Sequence, residues 1–572
     1  MKIDNIDVAR VFEDIADMLE IQGEDVFRVR AFRRAANSVR SATEDINKLS
    51  TEGRLTELPA IGKGMAGRID EMLKSGKMSY FEQLKETIPP RLLELMKVPG
   101  VGPKKAKTFY DELHITGVDE MKKAAEDHRI SSLKGLSGKT EENILKGIEL
   151  YQSSRERLNL SEAYPIADHF VSLLKTLPFV DDVCPAGSLR RMKETIGDID
   201  ILAASEEPEK VMEAFTTLPE VARILAKGDT KASIINSNGL QVDLRVVPVD
   251  QFGSALQYFT GSKEHNVHLR DLAKRQGYKI NEYGIFDAKT GERLGGSIEE
   301  DIYKTLGMDM MLPTLREDTG EIDAALEHAL PDSIAVEAIK GDLQVHSTWS
   351  DGLNKIKDMK AEAKRLGYDY MAITDHALKL RIAGGMDLDE IRERNEEIKR
   401  INDEDDGFVV LSGVELNIDN DGGVDYQDDV LAGFDIVIGS VHSGFQQPED
   451  QMTARILKAM ENPHIHVIAH PTGRIIGKRA PYAVNIDSML DAAAKTGTIL
   501  EINAYPDRLD LKDEYAREAK RRGLKLVINT DAHQAVHLKY MMFGVAEAQR
   551  GWLEPDDVIN TRPLKEMLGM LK

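Results

Sequence analysis

The sequence predicts a multidomain protein with a helical N-terminal third, a central α+β unit and a C-terminal barrel of alternating strands and helices. Three observations support this fold class. Glycine-pair turns precede helical segments near the N-terminus, two strands in the middle of the chain alternate apolar residues with aspartates, and apolar strands alternate with helices after residue 339. With 572 residues, the chain has room for roughly three or four domains.

Composition and charge limit the classes of protein that this chain can belong to. Apolar residues make up 41% of it, enough for several cores, and the single cysteine, Cys184, excludes a disulfide framework or a cysteine-based zinc site. There is no signal peptide or long uncharged apolar run, so we expect a soluble cytoplasmic protein without a membrane partner. Residues 1–157 are balanced in charge, and the excess of −23 falls on residues 158–572. Nucleic acid should therefore be bound mainly by the N-terminal part.

Repeated glycine turns are the main feature of the helical N-terminal third. An amphipathic helix is predicted over 6–20, followed by an arginine cluster at 28–40 that also fits an ordinary solvated basic face. Glycine turns then precede helix starts, and the backbone N–H groups there can approach a phosphate. These turns resemble helix-hairpin-helix motifs, which bind DNA backbones without reading sequence. The candidate DNA-binding residues are Gly62, Gly64, Gly100, Gly102 and Lys104, and Gly135 and Gly138 form a degenerate third copy.

The central unit carries three aspartates on two alternating strands. Ile199 and Ile201 alternate with Asp198 and Asp200, so that the carboxylates share one face of the strand, and Asp243 points outward from a second strand over 240–246. A turn followed by an acidic strand edge would look similar. The neighbouring carboxylates repel one another, and oxygen-liganded Mg²⁺ would neutralise them. Such an arrangement can hold two metals for phosphoryl transfer.

The run Gly187-Ser188-Leu189-Arg190-Arg191 followed by Gly197-Asp198-Ile199-Asp200 resembles the palm of the nucleotidyltransferases. Hairpin motifs followed by this palm resemble the family X DNA polymerases, such as DNA polymerase beta. The resemblance covers about residues 1–318. It implies that Asp198, Asp200 and Asp243 are catalytic and bind Mg²⁺ or Mn²⁺, with Asp243 nearest the primer 3′ hydroxyl. The residues implied to contact the incoming nucleotide are Arg157, Gly187, Ser188, Arg191, Gly197, Tyr258, Phe259, Gly261, Asn266 and Arg270.

The same resemblance implies the domain boundaries and one departure from the family. The boundaries are a gap and 5′-phosphate-binding helical domain (1–85), a duplex-binding helical domain (86–156), the palm (157–250), a nucleotide-selection domain (251–318), a linker (319–338) and the C-terminal domain (339–572). Arg68 stands where the beta enzyme has its Schiff-base lysine. Because arginine stays protonated, we predict no lyase activity of that type.

A histidine or carboxylate follows nearly every predicted strand of the C-terminal region. Strands are expected around 342–346, 370–374, 408–414, 436–441, 465–469, 497–502 and 524–529, and helices separate most of them. In a β/α barrel, side chains at the strand carboxyl ends converge. One histidine at such a place is usually a core residue, but a series of them with carboxylates predicts a multi-metal site. His464, His466 and His537 lack this placement and are expected to be structural.

Several motifs of this region together resemble the PHP (polymerase and histidinol phosphatase) domain, a distorted seven-stranded barrel that hydrolyses phosphoesters. The motifs include Val345-His346-Ser347, Thr374-Asp375-His376 and Thr530-Asp531-Ala532-His533. The resemblance implies up to three Zn²⁺ or Mn²⁺ ions, with Glu415 bridging two of them. The implied metal ligands are Gln344, His346, Asp351, His376, Glu415, His442, His470, Asp531 and His533. Gln344 replaces the first histidine of the family's His-x-His motif, and its carbonyl is a poorer Zn²⁺ ligand than imidazole.

The two resemblances together imply a monomeric, gap-filling DNA repair polymerase with a metal-dependent 3′-5′ exonuclease in the PHP domain. Its partners would be gapped or primer-template DNA and deoxynucleoside triphosphates. Three alternatives remain open from the sequence. The PHP domain could be catalytically silent, it could be a small-molecule phosphatase, or the palm could serve another nucleotidyltransferase, such as a tRNA-end enzyme.

Overall fold

A computed structural model describes residues 3, 5–40, 42, 44–98, 100–155, 157–380, 383–404 and 407–572. Separate apolar cores form in the N-terminal helices, around the central sheet, in a small unit after it and in the C-terminal barrel. The predicted multidomain fold class is therefore confirmed. None of the helices in these ranges is long and apolar enough to cross a membrane.

The N-terminal part is helical throughout its described ranges. Val8, Phe12 and Ile15 are fully buried, as the amphipathic pattern of the first helix predicts. The helices are α1 (Asn5–Gln22), α2 (Val26–Arg40), α3 (Ile46–Thr51), α4 (Lys63–Ser75), α5 (Ser79–Thr87), α6 (Leu92–Met96), α7 (Pro103–Leu113), α8 (Val118–Glu126) and α9 (Gly138–Arg155).

The glycine turns lie immediately before helix starts, as predicted. Gly62 and Gly102 are the N-cap residues of α4 and α7, and α9 begins at Gly138. Gly100 has a φ of 86°, in the left-handed region that favours glycine. At the corresponding place in the first hairpin, Ala60 adopts a φ of 59°.

The palm is a five-stranded mixed sheet in the order β2-β4-β7-β6-β5. Strands β4 and β7 are parallel neighbours, and Ile199 and Ile201 point into the core beneath them. Leu240 precedes the second of these strands and is only partly buried. The elements are β1 (Leu158–Asn159), α10 (Leu160–Lys175), β2 (Asp182–Pro185), α11 (Gly187–Arg190), β3 (Thr195–Ile196), β4 (Ile199–Ala204), α12 (Pro208–Thr216), β5 (Val221–Lys227), β6 (Lys231–Asn236) and β7 (Gln241–Val247).

A small α+β unit follows the palm. Its elements are α13 (Phe252–Thr260), α14 (Lys263–Arg275), β8 (Tyr278–Asn281), β9 (Gly284–Asp287), β10 (Arg293–Gly295), α15 (Glu300–Thr305) and α16 (Glu321–Leu326). Helix α16 lies in the segment predicted as a linker. Its Ile322 and Ala325 are buried in the same core as Leu269 and Ile302, so this part of the segment is packed against the small unit.

The C-terminal region is a seven-stranded parallel sheet in sequential order, β11 to β17, and all seven predicted strands are present. The backbone N–H of His346 donates to the carbonyl of Ala532 at 2.8 Å, which brings the last strand back to the first and nearly closes the barrel. The elements are β11 (Gly341–Val345), α17 (Ile356–Arg365), β12 (Tyr370–Ile373), α18 (Leu388–Asn402), β13 (Val409–Asn417), α19 (Asp428–Leu431), β14 (Ile436–Ser440), α20 (Glu449–Met460), β15 (Val467–Ile468), α21 (Ile486–Thr496), β16 (Ile499–Asn503), α22 (Asp513–Arg521), β17 (Leu526–Asn529), α23 (Met541–Arg550) and α24 (Leu564–Leu568).

Candidate active sites

The palm brings its acidic residues together by strand register. Asp200 on β4 lies directly opposite Asp243 on the parallel strand β7, and Asp198 is exposed just before β4. Asp243 is more buried than its predicted outward position implies, with 9% of its surface exposed. Burial, together with the nearby carboxylates of Asp198 and Asp243, raises the pKa of Asp200 to about 7. A divalent cation would remove this repulsion, so the residues present fit a metal site.

Lys231 is a palm residue that the sequence reasoning missed. Its ammonium lies 3.1 Å from Oδ2 of Asp243, and the amide of Gln241 donates to Oδ1 of the same carboxylate at 2.9 Å. The ammonium of Lys231 partly offsets the charge of Asp243, and the amide of Gln241 satisfies its other oxygen. Among the described residues, the palm triad is not one of the sets whose ligand atoms all lie within 4.8 Å of one another. Lys231 lies on β6, beside β7, where a sequence motif gives no sign of the pairing.

Gly187 allows the turn before α11 to approach the acidic strand closely. It has a φ of 58°, and a Cβ at this position would collide with the carboxylate of Asp200. The backbone N–H of Ala186 also donates to the carbonyl of Asp200 at 2.8 Å. The turn that carries Ser188 is therefore fixed against β4, and any side chain at position 187 would displace it.

The arginines near the palm turn are already engaged by carboxylates or backbone carbonyls of the protein. Arg191 lies 2.8 Å from the carboxylate of Glu317 and donates to the carbonyl of Thr260 at 2.5 Å. Arg190 makes an ion pair of 2.7 Å with Glu299 instead. Arg157 donates to the backbone carbonyl of Thr195 at 2.6 Å, and one of its guanidinium nitrogens lies beside Gly197.

The predicted nucleotide-selection residues form a connected cluster at the junction of α13 and α14. The amide of Asn266 donates to the carbonyl of Tyr258 at 2.7 Å, and Arg270 donates to the backbone carbonyl of Asn266 at 3.1 Å. The rings of Tyr258 and Phe259 meet edge to face with centroids 5.1 Å apart. Gly261, with a φ of 72°, ends α13 at this junction.

The N-terminal hairpins leave basic side chains and backbone N–H groups at the surface. Lys104 is exposed on the first turn of α7, beside Gly100 and Gly102. In the first hairpin domain, the guanidinium of Arg68 lies over the ring of Tyr80 at 4.9 Å and near the ring of Phe32 at 5.5 Å. Arg68 therefore makes cation–π contacts with two aromatic rings, an arrangement that does not require it to form a covalent bond to the substrate.

In the barrel, four imidazoles surround Glu415. Its carboxylate oxygens lie 3.1 Å from Nε2 of His442, 3.2 Å from Nδ1 of His376, 3.3 Å from Nε2 of His346 and 3.4 Å from Nε2 of His470. Glu415 is buried on β13, and each histidine lies within three residues after the end of another strand. The fold brings these residues together because parallel strands end on the same side of a barrel.

The predicted barrel ligands form overlapping sets of possible metal ligands. In each set, one ligand atom per residue lies within 4.8 Å of the others. The sets are His346, Glu415 and Asp531; His376, Glu415 and His442; and His346, Asp351, His376 and His533. His470 contacts Glu415 but belongs to none of these three. Shared members place the possible metal positions next to one another.

Unsatisfied buried atoms show that this donor set fits metal ions. Within the described ranges, both ring nitrogens of His346, Nδ1 of His376 and of His470, and Oε2 of Glu415 are buried without a hydrogen bond. The Gln344 side chain is also fully buried, and neither its amide oxygen nor its amide nitrogen is hydrogen-bonded there. Burying polar atoms without partners is costly, and imidazole and carboxylate ligands suit Zn²⁺ or Mn²⁺.

The pKa values in the barrel are set by burial and by the carboxylates. Burial lowers the pKa of His376 and of His470 to about 4, which favours the neutral imidazoles that metals require. Burial also acts against protonation of His533, but Asp351, 3.4 Å away, outweighs it and raises the pKa of His533 to about 10. Burial alone would raise the pKa of Asp351, but the same pairing lowers it overall.

Residues that the sequence analysis missed hold the ligands in place. The amide oxygen of Asn417 lies 2.7 Å from Nδ1 of His442, and the Ser440 hydroxyl donates to Oε1 of Glu415 at 2.5 Å. Glu501 accepts a hydrogen bond from the backbone N–H of His470 at 2.8 Å. His537, predicted as structural, lines the same cavity as Asp531 and His533. None of these residues has a motif spacing that would have identified it.

Family models match the successive parts of the chain. A helix-hairpin-helix domain matches residues 3–78 and a SAM-like helix-hairpin-helix tandem matches 92–149. A DNA polymerase beta thumb matches 255–317, and a PHP domain matches 342–505. The predicted hairpin domains and the predicted PHP barrel are thereby confirmed.

A relative that aligns over the whole chain decides the family. The chain is 40% identical over 568 residues to the DNA polymerase/3′-5′ exonuclease PolX of Bacillus subtilis (strain 168), covering 99% of both chains. The chain belongs to the family X DNA polymerases that carry a PHP domain. It is also 26% identical over 346 residues to DNA polymerase lambda of Rattus norvegicus, covering 55% of this chain and 56% of that protein.

The PHP domain of this family X polymerase is also similar to separate enzymes. A probable phosphatase of Thermoanaerobacter sp. (strain X514) is 28% identical over 231 residues, which is 38% of this chain and 89% of the phosphatase. The predicted recognition as a family X polymerase with a PHP domain is therefore confirmed for both halves of the chain.

Proposed function

We propose that the protein is a template-directed DNA polymerase that fills short gaps, with a metal-dependent 3′-5′ exonuclease in its PHP domain. The observation that supports the polymerase most directly is the register of Asp200 with Asp243 beneath the Gly187 turn. The PolX relative, which is named for both activities, supports the pairing of the two. A silent PHP domain or a different nucleotidyltransferase has no comparable support.

For polymerisation, Asp198, Asp200 and Asp243 would hold Mg²⁺ or Mn²⁺. When bound, divalent ions supply charge neutralisation for the triphosphate and the attacking oxygen. Asp243, proposed to lie nearest the primer 3′ hydroxyl, would take its proton. The 3′ oxygen bonds to the α-phosphorus of the nucleotide, the bond from that phosphorus to the oxygen bridging the α and β phosphates breaks, and pyrophosphate leaves. The residues proposed to bind the triphosphate, the sugar and the nascent base pair are Arg157, Gly187, Ser188, Arg191, Gly197, Tyr258, Phe259, Gly261, Asn266 and Arg270.

For hydrolysis, the barrel ligands would hold up to three Zn²⁺ or Mn²⁺ ions. When bound, such ions supply Lewis-acid activation of water at neutral pH. Water adds to the phosphorus of the 3′-terminal phosphodiester, the bond from phosphorus to the preceding 3′ oxygen breaks, and a nucleoside 5′-monophosphate leaves. The new strand ends in a 3′ hydroxyl. The proposed ligands are Gln344, His346, Asp351, His376, Glu415, His442, His470, Asp531 and His533.

The other domains would hold the DNA. Residues 1–85 bind the 5′ phosphate across a gap, and residues 86–156 bind the duplex. Their proposed backbone contacts are Gly62, Gly64, Gly100, Gly102 and Lys104, where N–H groups and a lysine lie at helix starts. Residues 157–250 carry the polymerase chemistry and residues 251–318 select the nucleotide. Residues 319–338 connect them to the PHP domain at 339–572, and the protein acts as a monomer.

A single gel assay tests both activities. A 5′-labelled primer on a one-nucleotide gap with a downstream 5′ phosphate is incubated with Mn²⁺, with and without nucleotides. We expect one added nucleotide with nucleotides present, and a shortening ladder without them. Asp198→Ala and Asp243→Ala should abolish extension and retain DNA binding, whereas Asp229→Ala, an exposed acid of the same sheet, should extend normally. Extension by either triad variant would refute the polymerase assignment.

The exonuclease is tested separately with Glu415→Gln. This variant should lose the shortening ladder and keep extension. Glu415 belongs to two of the three possible metal-ligand sets of the barrel and lies outside the palm. His464→Asn, in the same barrel but away from the strand carboxyl ends, serves as the control. A ladder from Glu415→Gln that equals the wild-type ladder would place the nuclease elsewhere.

A further inference from the structure

A cavity of about 320 Å³ lies between helix α2 and the candidate metal site of the barrel. The barrel contributes Asp351, Asp531 and His533 to its wall, all of them candidate metal ligands. The N-terminal helical domain contributes the opposite wall. The residues from that domain are Arg30, Arg33, Arg34 and Asn37. A cavity of this size is in the range of small-ligand sites, roughly 300–1,000 Å³.

Helix α2 carries arginines on two opposite faces. At roughly 100° per residue, Arg28 and Phe32 lie on one side of the helix, and Arg30 and Arg34 lie on the other. The first side stays within the helical domain, where Arg28 donates to the hydroxyl of Tyr80 at 2.8 Å. The second side faces the barrel cavity. One side of α2 therefore packs within the helical domain, and the other lines the cavity next to the barrel.

Direct contact joins the second face to the metal-site loop. A guanidinium nitrogen of Arg34 donates to the backbone carbonyl of Ser350 at 3.5 Å. Ser350 directly precedes the candidate ligand Asp351, and its hydroxyl donates to Asp375 at 2.8 Å. Arg34 therefore contacts the residue that precedes Asp351, a member of the possible ligand set that also includes His376 and His533.

The cavity has cationic groups that protein carboxylates do not fully engage. Arg33 pairs with Asp17 and Glu20 of α1, whereas Arg34 contacts the Ser350 carbonyl and makes no ion pair within 4.0 Å among the residues described. From the barrel, Arg508 reaches Asp531 at 3.6 Å. Its buried Nη1 has no hydrogen-bond acceptor in the described part of the chain. An anion with several oxygens would engage these guanidiniums.

We propose that this cavity is a subsite for the phosphate backbone of a single DNA strand whose 3′ end is being hydrolysed. Arg30 and Arg34 of α2, with Arg508 of the barrel, bind phosphates next to the terminal phosphodiester. The inference rests on the proposed exonuclease and adds a second domain to its site. Guanidinium forks bind phosphate oxygens in pairs, and a DNA strand has a phosphate at every nucleotide, whereas a small phosphoester has only one.

The test compares a long and a short substrate on the full-length protein. The long one is a 5′-labelled single-stranded 15-nucleotide DNA, and the short one is the p-nitrophenyl ester of thymidine 5′-monophosphate, which needs only the metal site. For Arg30→Glu/Arg34→Glu, we expect KM for the DNA to rise at least tenfold with little change in kcat. Hydrolysis of the ester should stay within twofold of wild type. Lys74→Glu, an exposed residue of the same domain outside the cavity, should change neither.

Two results would overturn the subsite. An unchanged KM for the DNA would remove the arginines from substrate binding, and an equal loss on both substrates would show that they only support the metal site. A wild-type protein that cleaves the ester but not the DNA would refute the proposed exonuclease instead. In that case, fluorescence anisotropy of the same labelled DNA decides the subsite. A tenfold weaker Kd for the double variant supports it, and an equal Kd refutes it.

Discussion

Gln344 shows what a single residue can change in a metal site. It lies on β11 two residues before His346, so both side chains point to the same side of the strand. Its side chain is fully buried, with no hydrogen bond from its amide group within the described residues. An unsatisfied buried amide costs roughly 1–3 kcal/mol, so its retention is consistent with an outside partner such as a metal ion. The amide is nevertheless a weaker Zn²⁺ ligand than an imidazole would be at this position.

Replacing Gln344 with histidine should strengthen metal binding. We expect Gln344→His to bind Zn²⁺ about tenfold more tightly, because imidazole is a better Zn²⁺ ligand than an amide oxygen; tenfold is the lower end of the effects seen when groups around a metal site are changed. Equilibrium dialysis with elemental analysis gives the occupancy and the Kd. Gln446→His, which adds an exposed histidine to the same barrel, is the matched control. Equal Zn²⁺ affinity in wild type and Gln344→His would exclude residue 344 from the metal sites.

At the residue scale, the sequence revealed the polar groups that follow strands but not the groups that hold them. Asp198, Asp200 and Glu415 could be predicted because alternation and strand ends are visible in a single strand. Lys231 and Asn417 could not, because each acts on a side chain from another strand. Their importance comes from sheet register, which no local pattern records.

At the element scale, the loop after β11 is held by the strand beside it. Asp375, two residues after the end of β12, accepts hydrogen bonds from the backbone N–H of Ser347 at 2.7 Å and from the hydroxyls of Ser347 and Ser350 at 2.8 Å each. Arg394 of α18 is fully buried with a guanidinium nitrogen 3.7 Å from the same carboxylate. This carboxylate therefore positions the loop that carries Asp351, although its neighbour His376 is the candidate ligand.

Removing this carboxylate should damage both folding and metal binding. Asp375→Ala leaves the Arg394 guanidinium buried without its counter-charge, which costs on the order of 3 kcal/mol. We expect a lower melting temperature and loss of about one metal ion per chain, measured by calorimetry and elemental analysis. Asp369→Ala, an exposed change just before β12, should preserve both. Full metal content in Asp375→Ala would show that the loop keeps its position without the carboxylate.

The sequence predicted the elements well because their patterns are local. Helices separate most of the barrel strands as expected, for example α18 between β12 and β13, and all seven strands lie where apolar runs predict them. Strand β15 is the exception in length, with only two residues, because the segment before it is irregular. The apolar run at 465–469 fixes burial but does not fix how long the backbone remains extended.

At the scale of the whole molecule, the palm and the barrel share a core and a charged interface. Leu509 and Phe543 of the barrel are buried in the same apolar cluster as palm residues. Beside this contact, Arg474 of the barrel pairs with Glu194 of the palm at 3.0 Å. Arg550 lies between Asp513, at 2.6 Å, and Glu317, at 3.3 Å. These partners are far apart in sequence, so no pattern predicted the interface.

Glu547 at this interface gives stability a distinct pH dependence. Burial, and then the neighbouring acids Asp513 and Glu194, raise its pKa from 4.5 to about 8. Between these two values the unfolded chain has released the proton and the folded chain keeps it. The free energy of unfolding therefore falls as the pH rises from about 4.5 to 8, and the loss is complete above pH 8. A side chain that cannot ionise would avoid this loss.

Glu547→Gln should accordingly melt at a higher temperature than wild type at pH 8.5, with a much smaller difference at pH 5. Scanning calorimetry at the two pH values measures both differences. Glu566→Gln, an exposed residue of α24, controls for the charge change and should show the same small difference at both. A constant difference between Glu547→Gln and wild type across this range would contradict the raised pKa.

The ion pair between Arg191 and Glu317 has a consequence for nucleotide binding. The carboxylate of Glu317 pairs with the Arg191 guanidinium, the group that is proposed to bind the triphosphate. An incoming nucleotide must replace that internal anion, so its binding is an exchange of partners on Arg191. Nucleotide binding should therefore release fewer counterions from Arg191 than it would from a solvated arginine. Glu317 also lies 3.3 Å from Arg550 of the barrel, so we expect its displacement to strengthen that second ion pair, which links the nucleotide site to the barrel.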